Sequence, residues 1–107
     1  MALLSRGDLW GAAQTFRQAL LIDPLRFDFH LELGCTLAKN PRWHCEAERR
    51  LRRCLELDPK NAESFYLLGL LYRENGMELR AEMELRKALE IEPENPRYKD
   101  AMTAPKR

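Results

Sequence analysis

The 107 residues suffice for one domain with a thin core, since a chain of this size buries only about 60–65% of its unfolded surface. A hydrophobic content of 45% excludes a disordered segment, and a net charge of +1 leaves no overall field to draw the chain to nucleic acid or an anionic membrane. No apolar run approaches the ~18 residues of a membrane span, and the start of the chain shows no long apolar core with a cleavage site. The three cysteines, Cys35, Cys45 and Cys54, form no C-x-x-C pair. Their odd number points to free thiols in a reducing compartment, so a cytoplasmic setting is expected.

In chain order, the first predicted helix lies near 9–22 and stops at Asp23-Pro24. The second, near 26–39, carries Leu33-Gly34 and Leu37. The stretch Lys39 to His44 contains Asn40-Pro41 and is read as a turn. A third helix, near 44–57, stops at Asp58-Pro59. The fourth, near 62–74, opens on Asn61, a good N-cap, and places Phe65, Leu68, Gly69 and Tyr72 on one face at i, i+3, i+4 and i+7. Gly76 gives a permissive backbone before the fifth, near 78–91, whose face is Ala81, Leu85, Ala88 and Leu89. Glu92-Pro93 ends it, because the residue before proline avoids the α region. A short sixth helix is expected near 96–102. No segment alternates apolar and polar as a strand does, so the fold class is all-α.

These helices repeat. Small residues recur at Ala12, Ala47 and Ala81, then Phe16, Leu51 and Leu85, then Ala19, Cys54 and Ala88, spaced by 35 residues and then 34. A second unit alternates with the first: Leu33-Gly34 matches Leu68-Gly69, and Leu3, Leu37 and Tyr72 fall in register. One extra residue lies between Leu37 and Ala47, in the Asn-Pro turn, where an insertion is tolerated. Glycine and alanine at these positions let helices approach closely, and one pair cannot bury both its faces, so stacking is required.

With these positions in place, the sequence resembles the tetratricopeptide repeat family. Leu68-Gly69, Tyr72, Gly76, Ala81, Ala88 and Pro93 stand as the family has them, with Phe65 in place of its tryptophan and Leu85 in place of an aromatic. The second repeat departs further, with His30 for the tryptophan, Leu37 for the tyrosine and Cys54 for the alanine. The resemblance runs from about Leu3 to Asn95. It implies a right-handed superhelical stack of antiparallel helix pairs, about five helices and a short C-terminal one. One tetratricopeptide domain is then expected over 1–107: a truncated first repeat at 1–26, a second at 27–61, a third at 62–95 and a cap and tail at 96–107.

The family implies a concave groove lined by the first helix of each pair. Off the core face, these positions are Asp28, Leu31, Cys35, Ala38 and Lys39 in the second repeat. In the third they are Glu63, Tyr66, Leu70, Arg73 and Glu74. The middle is apolar and the flanks acidic, so the expected ligand is an apolar segment with a basic residue. The alternative is that a neighbouring helix, the C-terminal one, covers these residues. Some family members grip a carboxylate with basic groove residues. Here Asp28, Glu32, Glu63 and Leu67 hold those places, which argues against such a clamp.

Other residue groups have plainer readings. His30, His44 and Cys45 lack the spacing of a metal site, and His30 falls on the core face. No orienting group marks a Cys–His nucleophile, and Cys54 holds a packing position. Arg42, Arg49, Arg50, Arg52 and Arg53 are read as a solvated outer face with Glu46–Arg50 and Glu48–Arg52 pairs at i, i+4, rather than as a nucleic-acid track. No catalytic residue, metal or cofactor is expected.

The function expected is a non-catalytic scaffold that binds a protein or peptide as part of a larger protein. The alternative is a self-association module. The helix near 9–22 has lost most of its first-helix partner, which leaves Trp10, Phe16 and Leu20 partly bare. Such a face is covered either by upstream sequence, if the chain is a fragment, or by a homodimer.

Overall fold

The computed structural model describes residues 6–103, with side chains from Leu9 onward. Its helices are α1 (Arg6–Ile22), α2 (Phe27–Ala38), α3 (His44–Leu57), α4 (Ala62–Glu74), α5 (Glu78–Ile91) and α6 (Pro96–Thr103). A single 3-10 turn, Pro41–Trp43, separates α2 from α3. No strand occurs among the described residues. No described helix is long and apolar enough to cross a membrane. Leu3 lies outside the described residues, so its place in the repeat register has no structural counterpart.

The acid–proline pairs make one turn three times over. The N–H three residues on donates to the acid's carbonyl: Arg26 to Asp23 at 3.2 Å, Asn61 to Asp58 at 3.1 Å and Asn95 to Glu92 at 3.2 Å. Proline suits the second position of such a turn because its ring fixes φ there. The extra residue of the second repeat is absorbed by the 3-10 turn, where Asn40 Oδ1 accepts from the Arg42 N–H at 3.0 Å.

The contacts divide the chain into two compact units, one up to Leu57 and the other from Asp58. In the first, α2 and α3 bury Leu33, Leu37, Ala47, Leu51 and Cys54 completely. Gly34 permits this closeness: a Cβ there would lie 2.9 Å from Leu51 Cδ2. α1 lies against α2, with Phe16 and Phe29 rings 6.4 Å apart. Arg17 reaches α3, its guanidinium donating to the Glu46 carboxylate at 2.6 and 3.1 Å and to Gln14 Oε1. The Arg17 hydrogen bond and charge hold the Glu46 carboxyl below the usual carboxylate range, against the opposing effect of burial.

The register predicts Ala12 as the small packing residue of α1, equivalent to the fully buried Ala47 and Ala81. The structure buries Ala13 and Leu20 instead and leaves Ala12 half-covered. Trp10 is 56% exposed and Phe16 half-buried, whereas Leu20 is covered.

In the second unit, Asn61 caps α4: its Oδ1 accepts from Ser64 N at 2.8 Å and Ser64 Oγ at 2.7 Å. The helix ends in a Schellman motif. Gly76, at φ +78°, donates to Arg73 O at 3.0 Å, and Met77 N–H donates to Tyr72 O at 2.9 Å. The left-handed φ is the reason for glycine at this position. α4 and α5 bury Leu68, Tyr72, Ala81, Leu85 and Ala88. α6 adds Tyr98, 2% exposed, to a cluster with Ala62 and Ala88.

Candidate interaction surface

The side chains expected to line a groove fall into two sets, each within its own unit. On α2, Leu31 and Cys35 are half-buried, and Asp28 and Lys39 are exposed. Asp28 has the Arg26 guanidinium 3.9 Å away. Lys39 caps α2 and borders a shallow cavity of about 460 Å³ with Leu9, Asn40, Pro41 and Arg42. The face is thus mixed: apolar midway along the helix, charged at both ends.

On α4, Glu63, Tyr66, Leu70 and Arg73 are half-buried and Glu74 is exposed. Three of these five meet α6. The Tyr66 and Tyr98 rings lie 5.0 Å apart and tilted, in the range where aromatic pairs attract. The Arg97 guanidinium sits 4.8 Å from the centre of the Tyr66 ring and 3.7 Å from the Glu63 carboxylate. Arg73 donates to the carbonyl of Ala101 at 2.7 Å and pairs with Glu78 at 3.4 Å.

Electrostatics follow from this packing. Burial pushes the Tyr98 phenol up, and the Glu92 and Glu63 charges push it the same way, so it stays neutral. Burial works against the Arg97 charge, but Glu63 and Tyr66 outweigh it and the guanidinium is held more firmly protonated.

The covering residues Arg97, Tyr98 and Ala101 are absent from the site read in the sequence. A signal for them exists. Asn95 stands 34 residues after Asn61, so α6 occupies the register of a further first helix. Its contacts on Glu63, Tyr66 and Arg73 are what such a helix would make on its predecessor.

His30 is 4% exposed, on the core side as its position implies, and its Nε2–H donates to Pro24 O at 2.8 Å. The Glu46–Arg50 and Glu48–Arg52 pairs form as spaced, at 3.4 and 3.0 Å. The outer-face reading fails for Arg50, which is half-buried, because Glu46 draws it towards Arg17. Among the described residues, no three His, Cys, Asp or Glu side chains converge as metal ligands.

A search of curated proteins finds no match to this chain. A family model described as tetratricopeptide repeat matches residues 51–83, from the second half of α3 through α4 into α5. That stretch includes Leu68-Gly69, Tyr72, Gly76 and Ala81, the positions that set the α4–α5 packing and the turn between them. This chain therefore carries a tetratricopeptide repeat, matched over residues 51–83.

Proposed function

We propose that this chain is a protein-interaction module that holds an apolar, partly basic segment of another protein on its first-helix surface. Tetratricopeptide repeats generally mediate protein–protein interaction, typically without catalysis. The observation that supports the surface is α6 itself. It is a helix seated on α4 by one aromatic residue, Tyr98 on Tyr66, and one basic residue, Arg97 on Glu63. A partner segment of the same kind would meet Leu70 and Glu74 on α4 in the second unit, or Leu31, Cys35 and Asp28 on α2 in the first.

The test is calorimetric titration of a captured partner against single variants. Leu31→Ala and Leu70→Ala should each weaken binding by about 1–3 kcal/mol if they are central anchors. Unchanged affinity in a folded double variant would remove the surface from consideration.

A second reading has its own observation. Trp10, Leu21, Ile22 and Leu25 are exposed at 56, 83, 89 and 61%, three of them on α1 and Leu25 just beyond its end. Such a patch supports self-association through α1. A light-scattering concentration series separates the two: a constant monomer mass favours the partner, a rise to twice that mass favours a second copy.

A further inference from the structure

The arginine-rich face of α3 is not a uniformly solvated surface. Arg49, Arg50, Arg52 and Arg53 border a cavity of about 380 Å³ together with Glu56 and the buried His30 of α2. Its charges do not balance within the unit. Glu48 pairs with Arg52 at 3.0 Å and Glu56 with Arg53 at 2.7 Å. Glu46 is shared, with Arg17 at 2.6 Å and Arg50 at 3.4 Å. Four guanidiniums border the cavity, and of the three carboxylates paired with them Glu46 is shared with Arg17 outside it, so positive charge prevails there.

Two residues that border this cavity each keep a buried side-chain atom without a hydrogen-bond partner, Arg50 Nε and His30 Nδ1. His30 Nε2 carries the ring proton, because Pro24 O can only accept.

We infer that this cavity binds a phosphomonoester, as carried by a phosphorylated serine or threonine of another protein. Such a group bears about −1.5 to −2 charges and three acceptor oxygens, which suits a cavity bordered by four guanidiniums and one carboxylate. Guanidiniums suit it because they donate in pairs to two oxygens at once. A nucleic-acid strand is the poorer match: no Phe, Tyr or Trp side chain borders the cavity for base stacking, and Glu46, Glu48 and Glu56 interrupt the basic track. The site lies mainly on α3, the second helix of its pair, and takes only the buried His30 from α2, so it shares no residue with the candidate first-helix surface.

The experiment titrates the ¹⁵N-labelled whole chain with N-acetyl-phosphoserine amide and follows the arginine Nε–H signals. Saturating shifts at Arg49, Arg50 and Arg53 are expected, with Arg86 on α5 unmoved. Arg49→Gln with Arg50→Gln should lower affinity at least roughly tenfold, and N-acetyl-glutamate amide should bind several-fold more weakly. Should the double variant fail to fold by circular dichroism, Arg49→Gln and Arg53→Gln singly must each still weaken binding. Non-saturating shifts shared by Arg86, or unchanged affinity in the folded variants, would overturn the site. So would an RNA oligonucleotide that binds tighter per phosphate than phosphoserine.

Discussion

Replacing Gly69 by alanine separates two opposed effects whose sizes the structure sets. An alanine inside a helix is worth about 1 kcal/mol over glycine, so the change would stabilise α4 if space allowed. Space does not allow it. The new Cβ would sit 2.7 Å from Leu85 Cγ, 2.9 Å from Leu85 Cδ2 and 3.2 Å from the Ala81 carbonyl oxygen. Ordinary carbon–carbon contacts are about 3.5–4.0 Å. Leu85 and Ala81 are fully buried, so neither has solvent to move into. Overpacking of this kind costs about 1–3 kcal/mol, which leaves Gly69→Ala neutral to destabilised by about 2 kcal/mol. Gly11, within α1, has nothing within 4 Å of an added Cβ. Gly11→Ala should therefore be stabilising by up to about 1 kcal/mol. The difference between the two isolates the clash, about 1–3 kcal/mol. Urea unfolding of both variants measures it, with Gly34→Ala as a second crowded site against Leu51. Equal changes at Gly69 and Gly11 would refute the close approach of α4 and α5.

Further outcomes follow from single contacts. Asn61→Ala should cost about 1 kcal/mol, because the cap on Ser64 is lost at a buried helix start, and thermal melting reads this directly. Ala81→Leu should cost about 1–3 kcal/mol by overpacking the same α4–α5 contact that Gly69 serves. Glu46 has a lowered folded-state pKa, so its contribution is present above the unfolded value of about 4.3 and is lost as pH falls through the folded one. Glu46→Gln should flatten the stability–pH curve in that acid range, by about 1 kcal/mol or less for a part-exposed pair.

What the sequence made legible is what depends on local chemistry and period. The helix spans agree to within a few residues, because apolar spacing, Asn61, Gly76 and the acid–proline turns each act within one turn of chain. Gly34 and Gly69 could be read as points of close approach because they are two copies of the same repeat position, 35 residues apart. The covering of Glu63, Tyr66 and Arg73 was visible only as an alternative. It depends on where Arg97, Tyr98 and Ala101 lie in space, 28 to 34 residues away in sequence. The Arg17–Glu46 pair, 29 residues apart, was not legible for the same reason, and with it the burial of Arg50. Ala12 misled because register alone does not say which face of α1 is covered, and the buried residues there are Ala13 and Leu20.

The most direct test of an interaction surface on α2 and α4 is site-specific photo-crosslinking of the whole chain in its native cells. Benzoylphenylalanine is placed at Leu31 or Leu70, and at the exposed Thr15 of α1 as the comparison site. The account predicts the same partner band from Leu31 and Leu70, and none of it from Thr15. Equal capture from all three positions, or crosslinks only to a second copy of this chain, would contradict it.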